Sequence, residues 1–351
     1  MSTITMRLRR LRTTAGGIDT QASLAEHLQT ALELELSTLP PYMCALYSIV
    51  DGANLEAAGL VRSVLMEEML HVSLAANVLN AIGGRPVLAR REVLPHYPTA
   101  LPDSDQSFTV NLQKFSREAI ATFLRIELPA APSAAPQADG YHTIGQFYCA
   151  IEDGLKRLAR SRAITFTHRP ECQVEASDYY NGHGRIIAVN SLETALEALN
   201  EIRHQGEGIS HSVMEDNEPL DQLGYNLAHY FRFLEIAEGR RFQKGDTPRG
   251  GPTGPLLPVD WNAVRNMVPN PRAAWYPAGS PIRRLMDDCN AGFLRLLQAL
   301  EAAFNGDKPR FRQAVPLMLE LKQRITGLMN LPSGIADTML GPSFEWPDST
   351  A

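Results

Sequence analysis

The chain lacks any long uncharged apolar run. Nothing in its 351 residues approaches the ~18 apolar positions that a membrane-spanning helix needs. It is poor in cysteine: Cys44, Cys149, Cys172 and Cys289 are scattered, with no Cys-x-x-Cys spacing. That argues against a disulfide scaffold or a cysteine-based metal site and fits reduced thiols in a cytoplasmic protein. A dominant charge is missing too. With 33 basic and 39 acidic residues the net charge is -6, which supplies no basic field for nucleic acid. Arg7, Arg9, Arg10 and Arg12 are not followed by the apolar segment of a secretory signal, so residues 1–19 read as a frayed, solvated start. No internal repeat is evident.

What is present is helical periodicity, in a chain long enough to bury a sizeable core. Leu24, Leu28, Leu32, Leu36, Leu39, Met43 and Leu46 mark one face of a helix from Ala22 to Val50, with a kink expected at Pro40-Pro41. A second helix runs to about Ile82 and ends at Gly83-Gly84 as a left-handed cap would, giving an antiparallel pair. The proline-bearing stretch from Arg85 to about Gln106 suits a crossover along a bundle. Helices then follow from Leu112 to Leu128, from Ile144 to about Arg160, from Ser191 to about Gln205, and from about Pro219 to Ala237. Residues 161–190 lose the helical period and read as an insertion with short strands at 164–166 and 186–189. The expected organisation is a mainly α protein with a bundle over 20–244, a Gly/Pro linker over 245–258, and an appendage over 259–351 holding a helical hairpin, Ile282–Ala303 and Phe311–Leu328.

Two of these helices place acid where leucine is expected. In the second, Glu68 and His71 lie within ~40° of the centre of the face formed by Val61, Val64, Val72, Ala75 and Leu79, with Glu67 at its edge. In the first, Glu35 lies within ~30° of the apolar centre, whereas Glu33 points toward solvent. A buried carboxylate costs several kcal/mol unless it is paired or binds a metal. Glu-x-x-His is also the spacing by which helix bundles offer a carboxylate and an imidazole to a dinuclear centre. The alternative is a buried acid paired with an arginine such as Arg62. Glu127 lies near the border of its helix's apolar face. A literal second Glu-x-x-His, Glu201 to His204, points ~140–160° away from the face of Leu192, Leu196, Leu199 and Ile202, and Glu207 lies nearer that face. His229 shares a second apolar strip with Tyr225, Phe233 and Ile236, where a core histidine and a ligand are both open readings. Tyr42 and Tyr47 read better as core aromatics than as partners of the acids.

Several segments carry a family resemblance. They are Leu32-Glu33-Leu34-Glu35-Leu36-Ser37-Thr38-Leu39-Pro40-Pro41-Tyr42, Glu67-Glu68-Met69-Leu70-His71, Ala81-Ile82-Gly83-Gly84-Arg85-Pro86, Phe123-Leu124-Arg125-Ile126-Glu127-Leu128-Pro129, Gln205-Gly206-Glu207-Gly208 and His229-Tyr230-Phe231-Arg232-Phe233. In order along roughly residues 20 to 240, they resemble the ferritin-like family named for iminophenyl-pyruvate dimer synthases. The resemblance implies a ferritin-like four-helix bundle with Glu35, Glu68, His71, Glu127, Glu207 and His229 as metal ligands. Such a set suits dinuclear non-haem iron, with manganese the open alternative. The chain departs from the pattern in its last histidine, which lies 22 residues after Glu207 rather than three after a glutamate.

The expected function is that of a cytoplasmic di-iron oxidase or oxygenase, acting with dioxygen on a small, amino-acid-derived metabolite of secondary metabolism. No nucleic acid or membrane partner is expected, and a homo-oligomer is left open. Two rival readings stand beside it. One is an iron-binding or ferroxidase protein without an organic substrate; the other is a metal-free scaffold whose acids pair with Arg62, Arg125, Arg203 and Arg232.

Overall fold

Thr20 starts the first long helix, its hydroxyl accepting the backbone N–H of Ser23 at 3.1 Å. This helix, α1 (Gln21–Ser48), runs unbroken through Pro40 and Pro41, where a kink was expected. A proline at 41 deprives the Ser37 carbonyl of its helical donor, and the Tyr97 hydroxyl supplies the missing hydrogen bond at 2.6 Å. The next helix, α2 (Leu55–Ala81), returns antiparallel: Thr38 meets Glu68, and the Gln21 amide donates to the Ile82 carbonyl. Gly83 closes α2 in the left-handed region, with φ 82°.

The protein is described by a computed structural model over residues 17–103, 106–129, 144–178, 184–206 and 227–347. Beyond the first pair it contains α3 (Arg117–Ile126), α4 (Ile144–Arg160), α5 (Leu192–Gly206), α6 (His229–Glu238), α7 (Pro281–Phe304) and α8 (Phe311–Met329). α4 packs on α1, α5 on α2, and α4 on α5, closing a four-helix arrangement; α3 and α6 pair with each other, and α6 also touches α2. The architecture is mainly helical, as expected.

Three local expectations change. The crossover carries an antiparallel ribbon, β1 (Thr99–Asp103) with β2 (Gln106–Val110), paired from Thr99↔Val110 to Asp103↔Gln106. The third helix starts at Arg117 rather than Leu112, because the Ser116 hydroxyl accepts the Ala119 N–H at 3.1 Å and caps it there. Leu112 is buried in extended chain instead, its N–H bound to Asn270 Oδ1 at 2.9 Å. The strands expected at 164–166 and 186–189 form no ladder. That insertion is irregular and is held by side chains of α2. Asn77 Nδ2 donates to the Val174 and Ile187 carbonyls, both at 2.8 Å. Asn80 Nδ2 donates to the Cys172 carbonyl at 2.9 Å and the Phe304 carbonyl at 2.8 Å.

The C-terminal helices lie against the bundle. Glu301 of α7 accepts the N–H groups of Leu88 and Ala89 at 2.7 and 2.8 Å, and Arg265 donates to the Ile49 carbonyl at 2.7 Å. Side chains of α1, α2 and the C-terminal hairpin share one apolar core. The segment before the hairpin is tied to the end of α6, where the Leu257 N–H donates to the Gly239 carbonyl at 2.8 Å.

Candidate metal centre

The inward faces of α1 and α2, the C-cap of α3 and the first residue of α6 bring Glu35, Glu68, His71, Glu127 and His229 into one buried cluster, each no more than 6 % exposed. His71 Nδ1 lies 3.5 Å from Glu35 Oε2 and 3.9 Å from Glu68 Oε1. His229 Nδ1 lies 3.0 Å from Glu68 Oε1 and 3.4 Å from Glu127 Oε2. The two imidazole rings stack with their centres 5.3 Å apart. The donors form two groups, Glu35–Glu68–His71 and Glu68–Glu127–His229, in each of which the donor atoms lie within 4.8 Å of one another. Glu68 belongs to both, and either group could hold a metal ion. Glu207 lies outside the described residues; Gly206, just before it, borders the cavity beside Glu127.

Around these five sit residues that sequence reasoning missed or assigned otherwise. Tyr42, read as a core aromatic, donates its hydroxyl to Glu127, and Tyr148 donates to Glu35. Thr38 Oγ1 lies 2.8 Å from Glu68 Oε2. Glu67, placed at the edge of its face, is buried and lies 2.9 Å from both His229 Nε2 and an Arg232 nitrogen. Arg232 therefore serves Glu67, while Glu235 is met by Arg241 at 2.9 Å. Glu33 does not face solvent: it is fully buried, because Gln29, one turn before it, holds the crossover at Val87 over that side of α1. Glu201 takes no place in the cluster and instead accepts the Arg185 N–H at 2.9 Å.

The electrostatics follow from burying three acids against two imidazoles. Burial together with the charges of Glu127 and Glu35 pushes the Glu68 carboxyl up to about 8. Burial is the largest influence on Glu35 and raises it, but the hydrogen bond and charge of His71, with hydrogen bonds from Glu68 and Tyr148, together hold that carboxyl below its usual value. Burial opposes protonation of both imidazoles, yet Glu35 raises His71, and Glu127 with Glu67 raises His229 well above the usual histidine value. Burial raises Glu67 as well; Arg232 and His229 overcome it and hold that group at about 2. The partners of Glu35, Glu68 and Glu127 among the described residues are threonine, tyrosine and histidine, with no arginine. Arg203 pairs with Glu152 at 2.7 Å and Arg232 with Glu67, while Arg62 is exposed.

A small, partly open pocket reaches Glu35, Glu68, His71 and Glu127, with Leu34, Ile126, Ile144, Ile202 and Arg203 in its walls.

Helices that converge acids and imidazoles in a water-poor interior define a ferritin-like helical protein. Residues 28–238, more than half of the chain, match the family model described as Ferritin-like, and the chain belongs to that family. It is similar to 2-imino-3-(indol-3-yl)propanoate dimerase of Chromobacterium violaceum, at 27% identity over 95% of this chain and 35% of that protein. It is also similar to dichlorochromopyrrolate synthase of Lentzea aerocolonigenes, at 24% identity over 95% of this chain and 37% of that protein. The chain thus spans little more than a third of the length of these curated relatives. A ferritin-like protein from Caulobacter vibrioides, solved as a crystal structure, shares the fold with a TM-score of 0.62 at 24% identity, covering 91% of this chain and 97% of that one. Among the described residues no helix is long and apolar enough to cross a membrane.

Proposed function

We propose that the chain is a dinuclear non-haem metalloenzyme, with iron as its metal and manganese the open alternative, that oxidises a small, amino-acid-derived metabolite with dioxygen. The observation that carries this reading is Glu68, shared by two carboxylate–histidine groups. The donor set fits a divalent pair in two respects. His229 Nδ1 is buried with no well-formed hydrogen bond and is aimed at the acids. Three clustered carboxylates also leave Glu68 as a proton holder unless a cation replaces that proton.

Glu35 and His71 would hold one ion, Glu127 and His229 the other, and Glu68 both, with Glu207 proposed as a further ligand. Bound iron would relay electrons from the substrate to dioxygen. The rest falls to the chain's own side chains. Tyr42 and Tyr148 orient the Glu127 and Glu35 carboxylates by hydroxyl donation. Leu34, Ile126, Ile144 and Ile202 offer an apolar part of the wall to an organic substrate. That wall favours catalysis over iron storage, and the absence of arginine from the partners of the three acids, among the described residues, disfavours the metal-free scaffold. The printed names of the curated relatives, a dimerase and a synthase, support a biosynthetic role on an indole-type or similar metabolite.

Elemental analysis after anaerobic reconstitution with ferrous iron tests the reading. About two irons per chain are expected, with loss in Glu68→Ala and in His71→Ala. Retention in both variants, or no bound metal in the unaltered chain, refutes it.

A further inference from the structure

Glu201 opens the Glu-x-x-His that the cluster does not use, and its contacts give it another task. Its Oε1 accepts the Arg185 N–H at 2.9 Å and lies 3.2 Å from Gln205 Nε2. A carboxylate can only accept, so the Gln205 amide must turn its NH2 toward Glu201 and its carbonyl oxygen toward His71. That oxygen lies 2.9 Å from His71 Nε2, which therefore carries the proton. Arg232 imposes the same logic on the opposite ring. It can only donate, it is fully buried, and it meets Glu67 Oε1 at 2.9 Å, leaving Glu67 Oε2 to accept the His229 Nε2 proton at 2.9 Å. Both rings thus turn Nδ1, the nitrogen free to coordinate, toward carboxylates of the cluster, His71 toward Glu35 and His229 toward Glu68.

We infer that Glu201–Gln205 and Arg232–Glu67 are two sets of positioning residues that lock His71 and His229 in the Nε2–H form, and that their difference makes the two metal positions unequal. This rests on the dinuclear reading above. His71 is backed by a neutral amide and His229 by a carboxylate. A carboxylate acceptor makes the ring the stronger donor to a cation. The position formed by Glu68, Glu127 and His229 therefore binds first and more tightly than the one formed by Glu35, Glu68 and His71.

The test is an anaerobic ferrous-iron titration of the full chain followed by calorimetry, paired with 15N-histidine NMR of the metal-free protein carried to a pH at which both rings are neutral, so that the tautomer is read. Two steps are expected, the tighter lost in Glu127→Ala and the weaker in Glu35→Ala. Glu67→Gln should weaken the tighter step by roughly ten- to a hundredfold and spare the other. Gln205→Glu, which gives His71 a carboxylate partner, should narrow the gap between the steps. Glu67→Gln leaves Arg232 buried without its counter-charge, so Glu67→Gln with Arg232→Met is titrated beside it. Equal steps, the reverse order, or equal weakening of both steps overturns the inference. If the unaltered chain takes up no iron, the dinuclear reading itself fails, and the NMR arm still decides the locking. Both Nε2 atoms should be protonated, with only the His71 signals moving in Gln205→Leu and only those of His229 in Glu67→Gln. An unprotonated Nε2 in either ring overturns the locking.

Discussion

Because Glu67 faces Arg232 at 2.9 Å while Glu68 faces two other carboxylates, adjacent residues of one helix are driven in opposite directions, one toward a permanent anion and one toward a proton. Truncating Glu67 to alanine removes the carboxylate that a fully buried guanidinium meets at 2.9 Å. The expected cost is about 3–5 kcal/mol of folding stability, read from denaturant midpoints, and a loss below ~1 kcal/mol would show that Arg232 finds another acceptor. Glu235 provides a pH-dependent counterpart outside the cluster. Burial pushes its carboxyl from the ordinary 4.5 up to about 7 despite Arg241 beside it. The folded chain holds that proton more firmly than the unfolded one. Its contribution to stability is thus complete below about 4.5 and disappears as pH rises through about 7. Glu235→Gln should flatten the stability profile over that window, and an unchanged slope would refute the assignment. Glu35, Glu68 and His71 were legible as candidates because they interrupt leucine faces, an anomaly visible within one helix. Glu67 was not, since α6 supplies its burial and partner, and the face arithmetic on α2 contains no term for α6. Glu33 was misread for the same reason: the crossover covers a face of α1 that a one-sided helix would leave wet.

At the scale of elements, the chain stops and starts its helices where side chains satisfy backbone groups. Leucine periodicity suggested a helix from Leu112, but the Ser116 cap fixes its start five residues later at Arg117. Ser116→Ala should cost about 1 kcal/mol, measured by urea unfolding. The continuity of α1 through two prolines depends on a residue outside that helix, Tyr97. Tyr97→Phe leaves the buried Ser37 carbonyl without a donor, for an expected loss of about 1–3 kcal/mol. No measurable loss would mean that water replaces the hydroxyl. The donor that replaces the lost helical hydrogen bond was not legible, because a residue 56 positions beyond Pro41 leaves no local signature. The ends of α1, α2, α4 and α5 were readable to within a few residues, with Gly83 and Ser191 acting locally as signals.

For the whole molecule, the cluster draws on four separated stretches of chain, so metal binding should report on global folding. A cation that binds only the folded state raises stability by RT ln(1 + [L]/Kd). Ferrous iron at about a hundred times its Kd should therefore add about 3 kcal/mol, and a chelator should lower the melting temperature accordingly. An unchanged melting temperature would separate the cluster from any metal role. That the helices of residues 20–244 form a bundle was foreseeable from their periodicity; that the C-terminal hairpin shares their apolar core was not, because pairings such as Glu301 with Leu88 and Ala89 join residues more than two hundred positions apart. One consequence concerns how such a chain can change over time. The helix that carries Glu67, Glu68 and His71 also carries Asn77 and Asn80, whose amides grip the insertion and the end of α7. Cluster and grip keep their relative angle only because a fixed number of residues separates them. Adding or deleting one between His71 and Asn77 would swing the amides by roughly 100° and slide them by about 1.5 Å. This stretch of α2 acts as a ruler. Substitutions can accumulate along it, while length changes are confined to the loops on either side.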